Sequence, residues 1–209
     1  RDSNGAELTF GSTKTCIVPD GVAHAAKDGR LVSGDSYSTM ELGAGKYAIA
    51  LSDGMGNGKR AYLESQETIQ LLKNILRSGI DETVAIKSIN SILMLRSQED
   101  VFSILDLAMI DLQDGVVKFL KVGSVPSFLK RGSQVRTVES RNLPIGILHD
   151  VEVDVVSEQL KAGDLLIMMS DGIYYASLLI ENKDIWLKRV ICEIETNDPQ
   201  EVADILLER

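Results

Sequence analysis

The chain has 209 residues, with 22 Lys and Arg against 31 Asp and Glu, a formal net charge of −9, and 44% hydrophobic residues. That is the composition of a globular chain with enough apolar material for one large domain. The acidity argues against a nucleic-acid partner, whose phosphates reward a basic face, and no apolar run approaches the roughly 20 residues of a membrane span.

Residues 1 to 29 are rich in turn signals, Pro19-Asp20-Gly21 and Asp28-Gly29, with room for one strand between Leu8 and Val18. The opening RDSNGAELTF lacks a signal-peptide core, so a cytosolic chain or a piece of a larger one is expected. GDSYSTMELGAGKYAIALSDG, 34 to 54, reads as a β-hairpin closed by Asp53-Gly54. From Arg60, the apolar residues Leu63, Ile69, Leu72, Ile75 and Leu76 fall at helical spacing, with Gly79 as the stop. Asp81 caps a second helix, ETVAIKSINSILMLR. Next, SILDLAMIDL and VVKFLKV flank Asp114-Gly115, and PSFLKR and QVRTVE flank Gly132-Ser133; both read as hairpins. VEVDVVS, 151 to 157, alternates like a half-wet strand, whereas GDLLIMMS, 163 to 170, is apolar on both faces and reads as a central strand. The sequence ends in helices: ENKDIWLKRVICEIE, then QEVADILLER, opened by Asp198 as cap and Pro199 at the first turn. A strand pair, a helical pair, a run of antiparallel strands and terminal helices make an α+β fold, read as one domain.

The informative residues are acids. Asp-Gly occurs five times, and for any one of them turn chemistry is the default reading. Two differ: both read Ser-Asp-Gly and follow a wholly apolar run, AIAL before Asp53 and LLIMM before Asp171. A carboxylate at the exit of a buried strand is costly unless paired, and no Lys or Arg adjoins either one. Asp35, one hairpin upstream of Asp53, is a third candidate. Hard divalent cations prefer such oxygens, so the pattern fits a metal site as well as it fits three turns. Asp106, inside a strand, is either buried and hydrogen-bonded or part of the same cleft. His24 and His149 have no partner pattern, and Cys16 and Cys192 share neither a CxxC nor a nearby His, which argues against a disulfide framework or a zinc site. GMGNGK is not a phosphate loop, because Arg60 follows Lys59.

SGDSY (33–37), ALSDGMGNGKRA (50–61), LDLAMIDL (105–112), KVGSVPSFLKRG (121–132), NLPIGIL (142–148) and GDLLIMMSDGIY (163–174) resemble the bacterial metal-dependent PPM (PP2C-type) serine/threonine phosphatases, in the branch that regulates sigma factors in sporulation. The resemblance runs from about residue 30 to the end. It implies a PP2C-like antiparallel β-sandwich flanked by helices, with two Mn²⁺ or Mg²⁺ ions at one end. Carried over by position, Asp53 bridges the ions, the Gly54 carbonyl and Asp35 serve one of them, and Asp171 serves the other; Gly56 and Gly58 keep the mouth open. The substrate implied is a phosphorylated anti-anti-sigma factor, whose dephosphorylation activates a sporulation sigma factor. The setting implied is a cytoplasmic domain of a larger membrane-anchored protein at the division septum. A homodimer is allowed, and neither nucleic acid nor membrane contact is expected. The family pattern has one further metal-binding Asp beyond the last helix, and the given sequence reaches Arg209 without it. An incomplete site, or a catalytically inactive module that binds a phosphoprotein, is therefore the alternative. The helical pair leading out of the Asp53 turn is read either as packing or as a switch acting on that turn.

Overall fold

A computed structural model of the chain describes residues 16–24, 34–54, 59–96, 103–123, 125–139, 145, 151–175 and 182–208. Two antiparallel sheets lie between two pairs of helices. The first sheet contains β1 (Asp35–Leu42), β2 (Lys46–Gly54), β3 (Ser103–Asp111), β4 (Val116–Val122) and β7 (Asp154–Gln159), in the order β1-β2-β3-β4-β7. The second has β5 (Ser127–Arg131), β6 (Gln134–Val138) and β8 (Leu165–Ile167), in the order β6-β5-β8. The expected α+β sandwich is the observed architecture. Among the described residues no helix is long and apolar enough to cross a membrane.

Local chemistry sets most boundaries. Helix α1 (Lys59–Arg77) buries Ala61, Ser65, Ile69, Leu72 and Leu76, a stripe at helical spacing. It stops at Gly79, whose φ of 80° is open to glycine at little strain. Helix α2 (Glu82–Arg96) starts where the Asp81 carboxylate accepts the Thr83 and Val84 N–H groups, at 2.9 and 3.2 Å. Past β8 come α3 (Asp171–Tyr174), α4 (Lys183–Glu193) and α5 (Pro199–Glu208). Asp198 caps α5 by accepting the Gln200 and Glu201 N–H groups.

Alternation along the strands sorts their side chains into three layers. Ala48, Ala50, Leu105, Leu107 and Leu120 meet Ile69, Leu72, Ile86 and Ile89 of α1 and α2. Tyr47, Ile49, Ala108, Ile110 and Phe119 face the second sheet, meeting Val138, Leu166 and Met168. Phe128, Leu165, Ile167 and Met169 meet Leu187, Ile191 and Val202 of α4 and α5.

Two expectations need correction. GDLLIMMS is not a central strand: only Leu165–Ile167 is strand, and among the described residues it stands at the edge of its sheet. Its apolar character has another cause, because helices cover one face and the first sheet covers the other. The strand expected over 151–157 is shifted to Asp154–Gln159, where it pairs with β4 from Lys121 to Val116. The expected strand between Leu8 and Val18 lies largely outside the described residues, and Cys16–Val18 are not strand. Residues 16–24 are held at the end of the sandwich where β2 begins. The Cys16 N–H donates to the Leu112 carbonyl at 3.1 Å and the Tyr47 hydroxyl to Asp20 at 3.3 Å. The Gln200 side-chain amide both accepts the Val22 N–H, at 3.0 Å, and donates to the Val22 carbonyl, at 2.9 Å.

Candidate active site

The hairpin register sets Asp35 directly opposite Asp53, at the end of the first sheet farthest from the β1–β2 turn. Both share the face of β2 that carries Tyr47 and Ile49, so they look toward the second sheet. Asp171 arrives from that second sheet, as the first residue of α3 just beyond β8. Three acids separated by up to 136 residues thus converge.

The electrostatics are those of crowded acids. Burial, the Asp171 carboxyl within hydrogen-bonding reach and the charge of Asp35 raise the Asp53 pKa to about 9. No Lys or Arg appears among these influences, and Asp53 Oδ2 is buried with no hydrogen-bond partner. Among the described residues, no set of three Asp, Glu, His or Cys is arranged as a ready-made metal cage. As they stand, the acids push the Asp53 carboxyl toward its protonated form.

The backbone beneath them is pinned by residues the sequence reading did not single out. Ser52 and Ser103 bond through their hydroxyls at 2.7 Å, and Ser103 Oγ donates to the Asp53 carbonyl at 3.2 Å. Ser36, next to Asp35, bonds Ser65 of α1 at 2.7 Å. The signal available was a serine inside an apolar strand, which needs a partner when buried. Gly54 fits because α1 runs directly over it: a Cβ there would stand 2.2 Å from the Ala61 carbonyl oxygen. On the other side, the Tyr174 hydroxyl donates to Asp184 at 2.6 Å and ties α3 to α4. The short helix α3 was not anticipated from the sequence. A groove of about 380 Å³ between β1 and α1, lined by Ser36, Tyr37, Leu63 and Gln66, holds none of the three acids.

Asp106 is buried and hydrogen-bonded, in an ion pair with Lys121. His24 is exposed, Cys16 and Cys192 are free thiols, and His149, Gly56 and Gly58 lie outside the described residues.

The sequence profile of the stage II sporulation protein E (SpoIIE) family matches residues 43–209. The chain belongs to the SpoIIE family. Stage II sporulation protein E of Priestia megaterium is 63% identical over 201 residues, which are 96% of this chain and 34% of that protein. The chain spans about a third or less of the length of the SpoIIE proteins it matches. A solved structure of the PP2C phosphatase domain with a fragment of the regulatory domain of SpoIIE from Bacillus subtilis is 65% identical. It superposes with a TM-score of 0.89, over 95% of this chain and 59% of that one. A structure of the Bacillus subtilis SpoIIE phosphatase domain presoaked with Mn is 61% identical, with a TM-score of 0.52, over 93% of this chain and 84% of that one. The chain thus has the fold of the PP2C phosphatase domain of SpoIIE.

The acid cluster has the chemistry for a divalent cation. Asp53 Oδ2 is an orphaned buried oxygen, and its neighbours are two further carboxyls. Oxygen donors with no competing base are the set that Mg²⁺ and Mn²⁺ take.

Proposed function

We propose that this chain is a single metal-dependent phosphatase domain that hydrolyses a phosphoserine on an anti-anti-sigma factor and so activates a sporulation sigma factor. The observation that carries the reading is the convergence of Asp35 and Asp53 from one sheet with Asp171 from the other, around a buried oxygen with no partner. Asp35, Asp53, the Gly54 carbonyl and Asp171 would hold two Mn²⁺ or Mg²⁺ ions. Ions held there supply the Lewis acidity that activates water and neutralises phosphoryl charge.

The residues of the chain do the rest. Asp53, whose pKa burial and its two acidic neighbours push up to about 9, would hold a cation only in its deprotonated form. Ser103, through its bond to the Asp53 carbonyl, keeps the strand end from turning the carboxyl away. No nucleophile of the enzyme's own is required, in keeping with the lack of any Ser-His-Asp or Cys-His set in the sequence. By the same likeness, the domain works on the cytoplasmic side of a larger membrane-anchored protein at the division septum, as a monomer or a homodimer.

The test is Mn²⁺-dependent hydrolysis of an aryl phosphate and of a phosphoserine anti-anti-sigma factor, by this chain and by one extended at its C-terminus. Turnover that falls at least about a hundredfold in Asp53→Asn supports the reading. If neither form turns over with Mn²⁺ or Mg²⁺ while the phosphoprotein still binds, the domain is a binding module and not an enzyme.

A further inference from the structure

One layer beneath the acids, the face between the sheets carries a second cluster of charge. Asp106 of β3 and Lys121 of β4 are paired in register, and at 1% and 0% exposure their side chains form an ion pair. Both also bond the Ser127 hydroxyl of β5: Lys121 Nζ donates to Ser127 Oγ at 2.7 Å, and Ser127 Oγ donates to Asp106 Oδ2 at 3.0 Å. Asp106 and Lys121 belong to the first sheet and Ser127 to the second, so the cluster is a directional bond between sheets.

Its place relative to the acids is fixed by register. On the first sheet Asp106 pairs with Leu51, two residues along β2 from Asp53. On the second, Ser127 opens β5, and its neighbour Phe128 pairs with Ile167 at the end of β8. The chain then passes through Met168, Met169 and Ser170 to Asp171. The bond therefore joins the sheets at the level from which their acids project.

Stability does not explain such a group. A buried ion pair is commonly no more stabilising than apolar residues of similar volume, because desolvation offsets the attraction. This one also leaves Asp106 Oδ1 buried with no hydrogen-bond partner. What charge and hydroxyl supply that apolar contacts lack is direction: apolar burial is indifferent to a small slide of one sheet over the other, and a three-way hydrogen bond is not.

We propose that Asp106, Lys121 and Ser127 are positioning residues, an inter-sheet latch that holds Asp171 in register with Asp35 and Asp53 for divalent-cation binding. The inference rests on the metal-dependent phosphatase reading above and assigns the latch no contact with substrate. The decisive variant is the double substitution Asp106→Leu, Lys121→Met, which keeps volume and removes direction. Thermal midpoints in chelator report folding, and calorimetric titration with Mn²⁺ alone reports the site. A double variant as heat-stable as the parent or more so, with Mn²⁺ half-saturation raised about tenfold, is the expected result. Equal Mn²⁺ half-saturation in a folded double variant overturns the latch. Should the double variant not fold, Ser127→Ala decides, since it keeps the ion pair and deletes only the inter-sheet hydroxyl. Weakened Mn²⁺ binding there, restored in Ser127→Thr, supports the latch, and unchanged binding overturns it. A parent chain that binds no Mn²⁺ overturns the metal reading and the latch with it, so the two failures are distinct.

Discussion

The two faces of β3 are built from different chemistry. Leu105, Leu107 and Met109 look toward α1 and α2 and pack into the apolar cluster there. Ile104, Asp106, Ala108 and Ile110 look toward the second sheet, in a layer that turns from apolar at the Tyr47 end to charged at the Asp53 end. The helix side can exchange one apolar shape for another of like volume at modest cost. The sheet side carries groups whose positions relative to one another matter more than their burial. Apart from Ser103, which holds the Asp53 carbonyl from the helix side, folding free energy and chemistry are therefore separated across the thickness of a single strand.

The separation can be broken most strongly at Leu107. Truncation of this fully buried residue, Leu107→Ala, is expected to cost about 2–5 kcal/mol, which for a domain of this size lowers the thermal midpoint by roughly 5–15 °C. The protein that remains folded should respond to Mn²⁺ with the parent's half-saturation. A large loss of Mn²⁺ affinity in that variant would mean that the two faces are not independent.

At Asp53 the expected sign is the opposite. Its folded pKa of about 9 lies far above that of an ordinary Asp. The folded state therefore binds more protons than the unfolded state between about pH 4 and 9, and this group's contribution to stability is lost as pH rises through that window. In chelator, Asp53→Asn should flatten the decline of the thermal midpoint from pH 5 to pH 9 and raise the midpoint at pH 8 by a few degrees, while abolishing the Mn²⁺ response. A variant that melts below the parent at pH 8 would show that the carboxyl is not strained there. The smallest effect is expected at the helix layer's rim: Asp81→Ala removes the cap of α2 and should cost about 1 kcal/mol by chemical denaturation, with Mn²⁺ half-saturation unmoved.

The parts of the fold legible in the sequence are those decided within a few residues. Asp81, Asp198-Pro199, Gly79 and Asp114-Gly115 act on their own neighbours, and each marks a boundary where the structure has one. The acids were legible because a carboxylate after an apolar run is anomalous wherever the chain goes next. Asp106 was equally anomalous, yet its meaning depends on Ser127, 21 residues away on another sheet, and no local pattern names that partner. The edge position of β8 was hidden for a related reason. An apolar run reports that both faces are covered, not which strands stand beside it. The α3 turn escaped because four residues are too few for a periodicity.

The Gln200 clasp on Val22 has a consequence of its own. One side chain presents the donor and the acceptor of a peptide group, so it imitates a rung of β-ladder with a segment that is not a strand. Only an amide can do this: a carboxylate in its place could take the Val22 N–H but would meet the Val22 carbonyl with no hydrogen to offer. The fastening is exposed and wholly polar, so residues 16–24 can be loosened there by a one-atom exchange, at the end of the sandwich remote from the acids and with little apolar surface disturbed.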